Sequence, residues 1–206
     1  MKKALLTSLL TGAVFTASGL AETLTFNFAD PKGVNNVVFM LDAPLEQISG
    51  SANGISGTVQ ADPANPEAVT GKIIVDAKSL HVGNPMMKDH MHGEDWLDTA
   101  KHDTISFELK EVTNVQKADE TSGTADVKGT FTLRGVSKEM TFPIRVTYLK
   151  GRLKDRGGDQ DGDLLVIRSN FSIKRSDFGI KPGEFEDKVA DDIEITLNVA
   201  GAAPKS

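Results

Sequence analysis

The chain has 206 residues, 39% of them hydrophobic and 25% charged, with 19 glycines, 8 prolines and no cysteine. That composition excludes collagen-like, low-complexity and disulfide-scaffold proteins. A formal charge of -6 argues against the basic stripe of a nucleic-acid binder, and the length suits one domain or at most two.

The amino terminus reads as a secretory leader. Lys2 and Lys3 form a positive segment, Ala4 to Ala17 is largely apolar and uncharged, and Gly19 and Ala21 are the small residues of a cleavage site after Ala21. The apolar run, at roughly 14 residues, falls short of the ~20 that a transmembrane helix needs. Cleavage removes two lysines and no acid, leaving 21 basic and 29 acidic residues and a net charge of -8. No second apolar run follows, so the expected product is a soluble periplasmic domain over 22–206. Without cysteine it depends on its core rather than on disulfides.

Along the mature chain the dominant period is two. Leu24, Phe26 and Phe28 alternate with polar residues, and Asp30-Pro31-Lys32-Gly33 supplies the turn before a strand through Phe39 and Leu41. Ser51-Ala52-Asn53-Gly54 and Asp62-Pro63-Ala64-Asn65-Pro66 are further turn signals, the second preceding the strand of Ile73 and Val75. A single helical island follows over Asn84 to Asp98, with Asn84 as N-cap, Pro85 at the first helical position and Gly93 as the stop. Met87 and Met91, four apart, share a face of it. Ile105, Phe107 and Leu109 alternate next, then Val127, Phe131 and Leu133. Arg134 to Lys138 joins this run to Met140, Phe142, Ile144, Val146 and Tyr148 as a hairpin turn. Asp155 to Asp163 forms a charged loop, and Ile193, Ile195, Leu197 and Val199 make the last alternating strand. One-in, one-out alternation marks antiparallel strands with one wet face. A single all-β domain of eight to ten strands follows, as a barrel or a sandwich.

Nothing marks an enzyme. Asp177-Phe178-Gly179 spells a kinase tripeptide without any other kinase element, and Gly-x-Ser-x-Gly and cysteine nucleophiles are missing. Asp159 to Asp163 resembles half a calcium loop but puts Gly162 and Asn170 where that motif fails, so it reads as a solvated hairpin tip. His90 and His92 are candidate metal ligands, with His81 and His102 nearby. On a helix, however, two residues rotate by about 200° and turn the rings apart. No metal site and no catalytic residue is assigned.

The remaining signal is apolar: Phe39, Leu41, Ile73, Val75, Ile105, Phe107, Phe131, Phe142, Ile144 and Phe171 on strands, and Met86, Met87, Met91, Trp96 and Leu97 in the helical island. A filled core and a ligand-holding barrel both require these inward faces, because an eight-stranded barrel can do either.

Three segments carry a family likeness. They are His92 to Glu108, ending in Asp103-Thr104-Ile105-Ser106-Phe107; Gly129 to Phe142, around Leu133-Arg134-Gly135-Val136-Ser137; and Phe171 to Ile180, with Arg175-Ser176-Asp177-Phe178-Gly179. With the tail Val189 to Ile195, they run in order over about 85 to 199, and in them the chain resembles the YceI-like family of bacterial secreted proteins. The resemblance implies a lipocalin-like antiparallel barrel of about eight strands. It implies binding of polyisoprenoids or other amphiphilic lipids, such as isoprenoid quinones and fatty amides, without catalysis and often as a dimer. The strand residues named above, with Phe178, would line the tunnel, and Met87, Met91 and Trp96 would cover its mouth. Arg175 and Asp177 would order their loop, or form a structural ion pair. His102-Asp103 stands where the family has Tyr-Pro, a wetter strand start that suits a polar head group. The alternative, from another class, is a periplasmic metal-binding or metal-responsive protein using His90 and His92.

Overall fold

The period-two segments become eleven antiparallel strands in the computed structural model, which describes residues 23–63, 65–157 and 159–205. Eight of them hydrogen-bond in the order β1 (Leu24–Asn27), β4 (Ile55–Asp62), β5 (Asn65–Asp76), β7 (Thr104–Lys117), β8 (Ser122–Leu133), β9 (Val136–Leu149), β10 (Gly162–Lys174) and β11 (Asp192–Pro204). Pairing of Asn27 with Ala202 then closes the ring into an antiparallel barrel. The other three, β2 (Asn36–Asp42), β3 (Gln47–Ala52) and β6 (His81–Val82), extend from β11 alongside β1. With the two-residue β6 the count of eleven exceeds by one the eight to ten expected from the sequence.

Two strands therefore share one edge of β11: β1 meets it at Ala202, and β2 from Glu194 to Asn198. Asn35 fills the gap between them. Its carboxamide accepts from the Ala200 N–H at 2.8 Å and donates to the carbonyls of Ala200 at 3.1 Å and Phe28 at 2.9 Å. A side chain thus continues the ladder where backbone cannot, pairing three backbone groups at the seam. Asp30 orders the turn before it by accepting from the N–H groups of Lys32, Val34 and Asn35, and Arg156 bonds both Asp30 and Asn35.

The β8–β9 hairpin turns on two residues, Arg134 (φ 49°) and Gly135 (φ 73°). Two successive positive φ values match the right-handed twist of the flanking strands. The Asp155–Asp163 loop divides: Asp155, Asp159 and Asp161 are exposed, whereas Asp163 is buried at 4% exposure. Asp163 accepts from the Tyr148 hydroxyl and from the Gly151 N–H at 2.7 Å, so it bolts the loop to the barrel rather than decorating a solvated tip. Burial alone would raise its pKa. Hydrogen bonds from Tyr148 and Gly151, with the charges of Lys205 and Lys150, outweigh that and hold it below the ordinary carboxylate value.

The helix, α1 (Pro85–His92), begins as its sequence signals require: the Asn84 side chain accepts from the Met87 N–H at 3.2 Å and Pro85 occupies the first turn. It ends at Gly93, which is extended (φ −67°) rather than left-handed. Residues 94–98 continue as turns, with Trp96 and Asp98 N–H groups bonding to the Gly93 carbonyl.

Candidate functional site

Burial inside the barrel is uneven. Phe26, Phe28, Phe131, Phe142 and Phe178 are all below 9% exposure. Ile73, Val75, Ile105, Phe107, Ile144, Phe171, Ile193 and Ile195, on the same inward faces, are only half-buried. Half-buried residues pointing into a barrel face a void. That void is a cavity of about 930 Å³, near the upper end of the ~300–1,000 Å³ of small-molecule sites.

The cavity draws its lining from both ends of the barrel. One end comprises Asp62, Pro63 and Pro66 of the β4–β5 turn with Lys117, Asp119, Glu120 and Thr121 of the β7–β8 turn. Asp119 accepts from the N–H and hydroxyl groups of Thr121 and Ser122, and these bonds, the Ser122 hydroxyl foremost, draw its pKa down to about 2. The other end comprises Met86, Met87, His90 and Met91 of α1, Trp96, and Lys181, Phe185 and Lys188 of the loop before β11. Between them the wall is almost entirely aliphatic and aromatic. Phe107, Phe131, Phe142 and Phe171 form one ring cluster, with Phe142 and Phe171 centroids 4.0 Å apart and Phe107 and Phe142 5.2 Å apart. Gly129 makes room for it, since a Cβ there would lie 2.7 Å from the Phe107 ring and 2.3 Å from the Glu108 carbonyl oxygen.

Of the residues anticipated as tunnel lining, Phe39, Leu41, Ile73, Val75, Met87, Met91, Trp96, Ile105, Phe107, Phe131, Phe142, Ile144 and Phe171 all line this cavity. Phe178 does not. It is fully buried in the packed cluster of Ile173, Ile180 and Leu133, with its ring 5.5 Å from that of Phe131. It follows β10 in a 3-10 turn, Arg175–Phe178, where strand alternation no longer applies. His102 and Asp103 also lie off the cavity wall; a Cβ on Gly135 would meet the His102 ring at 2.7 Å. Strand alternation already placed Val146, Tyr148, Ile195 and Leu197 on inward faces, and these too line the cavity, as does Ile167. Phe185 and the β7–β8 turn carry no such signal.

Of the two alternatives for Arg175 and Asp177, the ion pair does not form, and Arg175 orders the loop. Asp177 binds Lys138 at 2.7 Å. Arg175, 1% exposed, donates instead to the carbonyls of Ile180 (2.8 Å), Val189 (3.0 Å), Ala190 (3.2 Å), Lys181 and Glu184. Its five donors so gather the loop that forms one wall of the cavity mouth, and its guanidinium lies 5.8 Å from the Trp96 ring. The neighbouring Asp191 would be raised by burial, but hydrogen bonds from the Ser176 N–H and hydroxyl keep it below the usual carboxylate value.

His90 and His92 part company as helical rotation requires. His90 lines the cavity mouth. His92 lies with Nε2 2.9 Å from the Leu80 carbonyl oxygen and Nδ1 3.3 Å from the Thr99 hydroxyl. The carbonyl only accepts, so Nε2 carries the proton. Among the described residues no three His, Cys, Asp or Glu side chains gather as a metal-binding group.

The YceI-like domain model matches residues 23–201. The chain belongs to the YceI-like family. A UPF0312 protein of Pseudomonas fluorescens is 35% identical to it over 155 residues, 73% of this chain and 72% of the relative. Burkholderia cenocepacia BcnA superposes on this YceI-like chain with a TM-score of 0.64 at 23% identity, covering 81% of this chain and 95% of that one. A structure described as a polyisoprenoid binding domain from Saccharophagus degradans, implicated in plant cell wall breakdown, gives a TM-score of 0.63 at 12% identity. It covers 89% of this chain and 100% of that one. The last two likenesses are of fold.

Proposed function

We propose that this YceI-like protein is a periplasmic binding or carrier protein, without catalytic activity, for a long apolar or amphiphilic lipid such as a polyisoprenoid, an isoprenoid quinone or a fatty amide. The observation that carries this reading is the apolar cavity of about 930 Å³ inside the closed barrel. At about 30 Å³ per carbon-sized group, the liquid share of a water molecule, it accommodates on the order of thirty carbon atoms. Each methylene moved from water into it contributes about 0.8 kcal/mol, so a long chain is held by area rather than by any single contact. The polar groups at both ends suit an amphiphile whose head stays wet. The fold likeness to a polyisoprenoid binding domain and the leader-like first 21 residues, which lie outside the described residues, support the ligand class and the compartment.

The test is ligand-linked stability. Protein stripped of lipid and given a detergent-dispersed polyisoprenol or quinone gains about 2.7 kcal/mol at a hundredfold excess over Kd, read as a rise in melting temperature. No rise with any long-chain ligand refutes the reading.

A further inference from the structure

Among the described residues six large hydrophobic side chains stand exposed, and three of them lie at one end of the barrel: Leu45 (67%), Met86 (70%) and Phe185 (52%). Met86 and Phe185 line the cavity mouth, and the Leu45 N–H donates to the carbonyl of Asp187, two residues from Phe185. Phe185 is held there at φ 60°, a conformation that bulky side chains rarely adopt, with its ring centroid 6.3 Å from that of Trp96. The opposite end of the cavity carries Lys117, Asp119 and Glu120 instead. Both mouths carry charged groups, but among the described residues exposed large apolar side chains line only this one.

We propose that the apolar rim of Leu45, Met86 and Phe185 docks on a lipid bilayer, so that a long apolar ligand passes between bilayer and cavity through this mouth without crossing water. The inference rests on the lipid-carrier reading and adds where loading occurs. Continuity of the exposed rim with the apolar cavity selects a bilayer as occupant, because the cargo is itself dissolved there. The charge around the rim selects the kind of bilayer. Glu46, Glu184, Glu186 and Asp187 outnumber Lys181 and Lys188, and the whole chain is acidic. A zwitterionic surface is accepted and an anionic one repels.

Trp96, the single tryptophan of the chain, reports on this mouth directly. Mature protein mixed with phosphatidylcholine vesicles brominated in their acyl chains should co-sediment with them, and Trp96 emission should be quenched. Adding phosphatidylglycerol should weaken binding at low salt. The variant Leu45→Gln/Met86→Gln/Phe185→Asn should bind vesicles about a hundredfold more weakly, the loss expected from three partly buried apolar side chains. Asn tolerates positive φ better than Phe, so its melting temperature should hold. Met86→Gln alone should give a partial loss. Val34→Gln/Val38→Gln, at exposed positions elsewhere, should bind as wild type. The proposal is overturned by absence of co-sedimentation, by equal binding of the rim variant, or by a rim variant that merely converts a dimer to monomer, which would make a second copy the occupant. Vesicle binding by protein that holds no extractable lipid would sink the carrier reading and leave docking intact; extractable lipid without vesicle binding would do the reverse.

Discussion

Two phenylalanines in different settings, Phe107 and Phe178, separate a cavity from a filled core. Phe178 has no exposed surface and packs against Phe131, Ile173 and Ile180 away from the cavity. Its truncation to Ala removes a fully packed ring, which costs about 3–5 kcal/mol. Phe107 is half-buried: its ring packs near Phe142, with centroids 5.2 Å apart, and over Gly129, and its remaining surface lines the cavity. Only the packed part of that ring is lost, so Phe107→Ala costs roughly half as much, about 1.5–2.5 kcal/mol. Urea denaturation of delipidated protein measures both, with an unchanged m-value confirming that stability alone has moved. Ligand retention should invert the order: Phe107→Ala alters the cavity wall and weakens retention, whereas Phe178→Ala leaves it close to wild type wherever the protein remains folded. Equal destabilisation by the two substitutions, with retention untouched in both, would refute the reasoning and mark the interior as closely packed.

Asn35→Leu should destabilise by about 3 kcal/mol or more, because it strands the Ala200 N–H and two carbonyls at the barrel seam; a shift of the urea midpoint smaller than Asn36→Leu causes would contradict the bridging role. Asp163 has a folded pKa below its ordinary value, so its stabilising contribution is present above the unfolded carboxylate pKa of about 4 and is lost as pH falls through the folded one. Asp163→Asn should therefore cost stability at neutral pH and flatten the acid limb of a stability-against-pH curve; a parallel curve would refute the linkage. Protein recovered from its native envelope should begin at Glu22, which amino-terminal sequencing or intact mass checks, an uncleaved Met1 being the contrary result.

Most of the barrel was legible because strand alternation is a local property. Each pair such as Val127 and Phe142, directly opposite across β8 and β9, follows from two runs of period two joined by a short turn. The cavity lining followed for the same reason, since an inward face is inward whether or not something fills the middle. What alternation cannot state is whether opposing faces touch; that depends on barrel circumference, which is set by pairings far apart in sequence such as Asn27 with Ala202. Phe178 was misplaced because it sits one turn beyond its strand. Arg175 orders its loop as expected, but through main-chain carbonyls of residues 180–190, partners that no side-chain pairing rule detects. Phe185 had no periodic neighbour to give it a side.

Whether the cavity holds a lipid is read by mass spectrometry of an organic extract from protein freshly purified from its own envelope without detergent. The extract should contain a dominant long-chain species, near equimolar with protein and depleted in Phe107→Ala. An extract indistinguishable from that of an unrelated protein carried through the same purification would contradict it.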